Sequence, residues 1–156
     1  MAYEYIPAPK GCLYHYTQKD RLDSILKDNR IRRFRDRECW FCTSLEDTLR
    51  LMEMTVMKEG HPYVDAQGIL RKYPAFVPED YVILKLEQRY QNGDWVKWNQ
   101  EVPPDSSHEI LAEAKEFSSL KKGFRGDLKF RQYPQVIEVT LLLSEQISDM
   151  DMTMKL

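Results

Sequence analysis

The chain has 156 residues, of which 42% are hydrophobic and 31% charged with both signs mixed. That composition sets a soluble globular protein with its own core, read as a single domain over 1-156. The formal net charge of -2 excludes a global basic field for nucleic acid, and no apolar run approaches the roughly 20 residues of a membrane helix. The opening "MAYEYIPAPKG" lacks the charged and apolar regions of a signal peptide, and three cysteines (Cys12, Cys39, Cys42) do not make a disulfide framework. A reducing, cytoplasmic location is the expectation.

Residues 1-10 read as an extended lead-in, kept out of helix by Pro7 and Pro9. "CLYHYT" reads as a strand, and Thr17 as the N-cap of a helix with Asp20 at N3. Leu22, Ile25 and Leu26 supply that helix's apolar stripe, and Asn29 its C-cap. Five arginines follow between Arg30 and Arg37. "CWFCTS" predicts a second short aromatic strand. Ser44 is the N-cap of a second helix, with Leu49, Leu51, Met52, Val56 and Met57 on its buried face and Gly60 at its end. Residues 61–80 read as an irregular connection. "YVILKLEQ" alternates as a strand, and "WVKWNQEV" reads as its hairpin partner across the "NGD" turn. A third helix starts at Asp105 or Ser106 and closes at Lys121, Lys122 and Gly123. "VIEVTLLL" reads as the last strand, and 144-156 as a peripheral tail. The order predicts a compact α+β domain with a split or bent, mostly antiparallel sheet and about three helices.

Several side chains carry candidate chemistry. On a strand, Leu13, His15 and Thr17 share one face, so an imidazole and a hydroxyl stand together at the strand's C-terminal end. Such a pair can grip ribose hydroxyls, although a structural histidine bonded to backbone fits the same pattern. Cys39 and Cys42 form a C-x-x-C without a helix N-terminus or two further ligands, so neither redox chemistry nor a metal is expected there. The arginines, Arg30, Arg32, Arg33 and Arg35 among them, offer forked hydrogen bonds to phosphate, or a solvated edge. Glu138 interrupts an apolar strand, on the face of Val136 and Thr140; facing solvent from an edge strand is the competing reading. Trp40, Phe41, Trp95 and Trp98 read as core, with one of them available to stack on a ring.

With these residues assembled, the chain resembles the ADP-ribosyltransferase fold, in its His-Tyr-Glu branch, near the DNA-targeting toxins and the RNA 2′-phosphotransferases. "LYHYT" with "LDSILKDNRI" is similar to the family's first motif, and "CWFCTSLEDTLRL" to its second. "VIEV" sits where the family places a catalytic glutamate. The resemblance implies an NAD-dependent transferase of ADP-ribose, a bacterial or phage toxin or effector, with NAD as substrate and no metal. It implies that His15 bonds the adenosine ribose and Thr17 helps hold NAD. Phe41 or a nearby aromatic would stack on nicotinamide, and Thr43 and Ser44 would support the pocket. Glu138 would be catalytic, stabilising the oxocarbenium-like charge. Val136 is apolar where protein-modifying relatives carry Gln or Glu, which points away from arginine modification. The arginines favour a phosphate-rich target, either nucleic acid or a 2′-phosphate, and the acceptor is nucleic acid or protein. The rival readings are a catalytically degenerate nucleotide- or protein-binding module, an RNA 2′-phosphotransferase, and a structural interaction module.

Overall fold

The computed structural model describes residues 2–34, 37–87 and 92–145. Arg35 and residues 146–156 of the expected tail lie outside them.

A four-stranded antiparallel sheet has the order β1 (Tyr3–Ile6), β8 (Trp95–Trp98), β9 (Lys122–Arg125), β4 (Glu38–Phe41). A three-stranded antiparallel sheet has the order β11 (Gln135–Glu138), β7 (Tyr81–Glu87), β2 (Cys12–Gln18). One bridge joins them: the Tyr14 amide donates to the Cys42 carbonyl at 2.8 Å, and the Cys42 amide to the Tyr14 carbonyl at 2.9 Å. Past that bridge β2 and β4 diverge. The α+β class and the antiparallel sheets therefore stand as read from the sequence. Two small pairs complete the strands, β3 (Arg30–Ile31) with β10 (Leu128–Lys129), and β5 (Pro62–Val64) with β6 (Leu70–Lys72). The second of these lies inside the segment that reads as irregular.

The central strand β7 is buried on both faces, because each face meets a different layer. Val82, Leu84 and Leu86 join Leu13, Phe41, Trp95 and Phe124 in the larger core. Ile83 faces the other way and packs with Leu49 and Met52 of α2 (Leu45–Thr55) and with Val139. Burying each of these side chains contributes roughly 1.5–3 kcal/mol. Ser44 caps α2 as its sequence predicts, its Oγ accepting from the Asp47 amide at 3.0 Å. Asn29 ends α1 (Leu22–Asp28) in the left-handed region, with φ of 54°.

Several expectations change. α2 ends at Thr55 with Val56 as its C-cap, short of Gly60. Residues 1-10 are not only a lead-in, because Tyr3–Ile6 form the edge strand β1, and Pro7 and Pro9 fall just beyond it. Thr17 caps no helix; β2 runs on to Gln18, held by its ladder to β7, and Lys19–Arg21 form a 3-10 turn before α1. β8 pairs with β1 and β9 rather than with β7. The third helix, α3 (His108–Leu120), is capped by Ser107, and Lys122 and Gly123 belong to the next strand, β9. Strand β11 stops at Glu138 and helix follows over 139–145.

Candidate functional site

A cleft of about 710 Å³ opens where the two sheets part. Its size falls within the range of small-molecule sites, about 300–1,000 Å³. The split itself creates it. The main-chain groups of Tyr14 point to β4, and strand alternation turns those of Tyr16 and Gln18 the same way, toward the opening. A ligand there meets a strand edge as well as side chains.

His15 and Thr17 line this cleft from β2. The His15 Nδ1 donates to the Trp40 carbonyl oxygen at 2.8 Å. A carbonyl only accepts, so Nδ1 carries the proton and the neutral ring keeps Nε2 as an acceptor. Burial lowers the His15 pKa below the ordinary histidine value and Arg21 lowers it further, while the Trp40 carbonyl works in the opposite direction. The ring stands 5.5 Å from that of Phe41. Thr17 is buried, opposite Val82.

The rim is cationic. Arg21, Arg30, Arg32 and Arg33 all line the cleft. Two of them are partly engaged: Arg32 donates to Asp28 at 2.9 Å, and Arg30 lies 3.8 Å from Asp127. Trp40 forms part of the wall, and Gly123 on β9 makes room for it, since a Cβ at Gly123 would meet the Trp40 ring at 2.9 Å. The Lys121 ammonium lies 4.6 Å from the Trp40 ring centre, 5.4 Å from Trp98 and 4.4 Å from Phe117. That cage holds a cation against the cleft wall, and burial lowers its pKa.

Phe41 also lines the cleft, 1% exposed and with its ring packed between His15 and Trp95. The other predicted residues are placed differently. Ser44 is occupied as the α2 cap, and neither it nor Thr43 is among the cleft's lining residues. Glu138 is the last residue of an edge strand, 2.7 Å from Lys19 Nζ, with 38% of its side chain exposed. It stands outside the cleft lining, yet the register relates it to the site. Thr17 and Glu138 both pair with Val82 from opposite sides, so His15, Thr17 and Glu138 share one face and one end of the sheet. Two strand spacings, about 10 Å, separate Thr17 from Glu138. Thr140 does not share that face, because it lies in the helical segment. Cys39 and Cys42 are buried free thiols, and burial pushes them up to about 12 and about 11. Such thiols are inert as nucleophiles. No group of metal-ligating side chains occurs among the described residues, and no described helix is long and apolar enough to cross a membrane.

The sequence reading missed Lys121 and Glu38 as parts of cavity walls. For Lys121 a signal exists: Phe117 stands four residues earlier, so an aromatic and a lysine fall on one side of the helix end. Glu38, a charged residue opening an aromatic strand, carries a weaker one.

The His15 environment has a measurable consequence. Folding lowers its pKa, so the unfolded chain takes up this proton at a higher pH than the folded one. The stability tied to His15 is therefore full above about pH 6.5, the ordinary histidine value, and is lost as pH falls below it, until the folded pKa is reached. Between about pH 8 and pH 5, urea unfolding of the wild type should lose more stability than that of His15→Gln. Parallel pH profiles would show that His15 is not desolvated.

No family model, curated protein or solved structure matches the chain.

Proposed function

We propose that the chain is an NAD-dependent ADP-ribosyltransferase-like protein acting on a nucleic-acid or protein acceptor. The observation that carries this reading is the shared face and end of β2 and β11, where His15, Thr17 and Glu138 stand beside a cleft of ligand size. In this reading the His15 Nε2 accepts a hydrogen bond from a ribose hydroxyl, and the Thr17 hydroxyl supplies a second contact. Phe41, whose ring stands against the imidazole, or Trp40 beside it is the aromatic that stacks on the nicotinamide in this reading. Arg30, Arg32 and Arg33 on the rim favour the pyrophosphate, or the phosphates of a nucleic-acid acceptor. The glycosidic bond breaks with its electron pair leaving on the nicotinamide nitrogen. The cation left on the ribose is stabilised by the Glu138 carboxylate until the acceptor's nucleophile bonds to that carbon and sheds its proton. The Lys19 partner of Glu138 is no obstacle, because exposed ion pairs contribute about 0–1 kcal/mol.

A second reading, nucleotide binding without turnover, is favoured by the position of Glu138 outside the cleft lining. One experiment separates the two. The protein is incubated with NAD, with and without single-stranded DNA, RNA or protein extract, and released nicotinamide is measured by mass spectrometry. In parallel, the thermal shift given by NAD is compared with that of His15→Ala. Release together with a His15-dependent shift supports transfer, and the stimulating additive identifies the acceptor class. A His15-dependent shift without release supports the binding module. The absence of both signals overturns both readings.

A further inference from the structure

A second cavity, of about 440 Å³, lies on the four-stranded sheet, walled by Tyr3, Arg33, Arg37, Glu38, Trp98 and Arg125. Strand register explains the grouping. Tyr3 pairs with Trp98, Glu38 pairs with Arg125, and the alternation along each strand puts all four on one face. The opposite face carries Phe41 and Phe124 into the core.

Its electrostatics are unusual for a surface hollow. Glu38 is 3% exposed, a carboxylate almost removed from water. The Tyr3 hydroxyl donates to it, and the Tyr3 pKa is raised by burial first and by Glu38 second, with Arg37 and Arg125 acting the other way. Three exposed arginines share the cavity walls with that carboxylate. Among the described residues, none of Arg33, Arg37 and Arg125 takes part in a side-chain ion pair, in contrast to Arg30, Arg32 and Arg50. The Arg125 guanidinium instead lies 5.3 Å from the Tyr3 ring centre and 5.6 Å from that of Tyr5. Its position is set by the aromatic rings, while its forked donors remain available.

We propose that this cavity is a phosphate-ester site, taking a nucleoside monophosphate group whose oxygens lie on Arg37 and Arg125 and whose planar base lies against Trp98. Guanidinium groups bind phosphate through paired, charge-assisted hydrogen bonds. A cavity this large, with aromatic walls, holds more than a bare oxyanion. The buried carboxylate gives the site a direction, because it repels phosphate from the Glu38 side and leaves the Arg37 and Arg125 side to receive it. The site is independent of NAD chemistry in the first cleft. Arg33 and Glu38 wall both cavities, so the two sites adjoin.

Titration calorimetry with a nucleoside 5′-monophosphate tests this, using the whole chain at low salt. Arg37→Gln and Arg125→Gln should each weaken binding by at least about tenfold, the loss of a charge-assisted hydrogen bond. Both residues are exposed, so the variants keep the fold. Arg50→Gln, on the far helix pair, should bind as the wild type does. The same nucleoside without phosphate should bind at least about tenfold more weakly. Inorganic phosphate should compete, and His15→Ala should retain the Arg125-dependent component, which separates this site from the first cleft. No binding at millimolar ligand, equal affinity in Arg37→Gln and Arg125→Gln, or equal affinity for the unphosphorylated nucleoside would each overturn the proposal.

Discussion

Glu138→Gln is expected to lower nicotinamide release from NAD by about 100-fold or more while leaving thermal stability nearly unchanged. The two halves of that result have separate causes. The carboxylate lies at the exposed end of an edge strand, and its ion pair with Lys19 is a surface one, with side chains 43% and 38% exposed. Losing such a pair costs about 0–1 kcal/mol. The catalytic effect is larger because the charge acts on a cation present only as the glycosidic bond breaks, and a neutral amide of the same shape does not supply it. Release by mass spectrometry and the melting temperature are read on the same preparation. A variant that turns over as fast as the wild type removes Glu138 from the chemistry. A variant that melts far lower shows that the Lys19 pair is structural.

Phe41→Ala should destabilise the fold by about 3–5 kcal/mol, the range for deleting a buried aromatic side chain. The ring is 1% exposed and packs 5.5 Å from His15 and 5.9 Å from Trp95, so its loss opens a cavity between the two sheets. The same ring backs the imidazole whose Nδ1 bonds the Trp40 carbonyl, and the stability loss should come with a weaker response to NAD. The urea midpoint measures the first effect and the ligand-induced thermal shift the second. A loss below about 1 kcal/mol would mean that neighbouring side chains collapse into the gap.

Legibility in the sequence followed the range of the interactions involved. The Ser44 cap, the left-handed Asn29 and the alternating strand "YVILKLE" are local patterns, and each appears in the fold where its residues put it. Strand partnership is not local. β8 has the turn signal of a hairpin with β7, but it takes β1 and β9 as neighbours, and only a register across the whole chain decides that. Thr17 has the chemistry of a cap, but the ladder between β2 and β7 extends past it, and tertiary pairing overrides the local preference. At "VIEVTLLL" the branched residues favour a strand, while Val139, Leu142 and Leu143 stand at i, i+3 and i+4, and all three pack on the layer around Ile83. The helical period prevails from residue 139 onward because that layer needs a stripe rather than a pleat. At the site, the side by side placement of His15 and Thr17 follows from strand alternation alone. Lys121 and Glu38 acquire their roles only when β4, β9 and α3 meet, which no spacing within one element records.

The bridge between Tyr14 and Cys42 gives the molecule a mechanical character. Two main-chain hydrogen bonds form a pivot, the shared core clamps one side of it, and the cleft is the side left free. The width of the cleft therefore depends on how tightly the two sheets are welded, as well as on the α1 segment and the 32–34 loop that complete its wall. A ligand that touches both β2 and β4 works as a wedge or a rivet across that pivot, and its binding strength is tied to the cohesion of the whole fold.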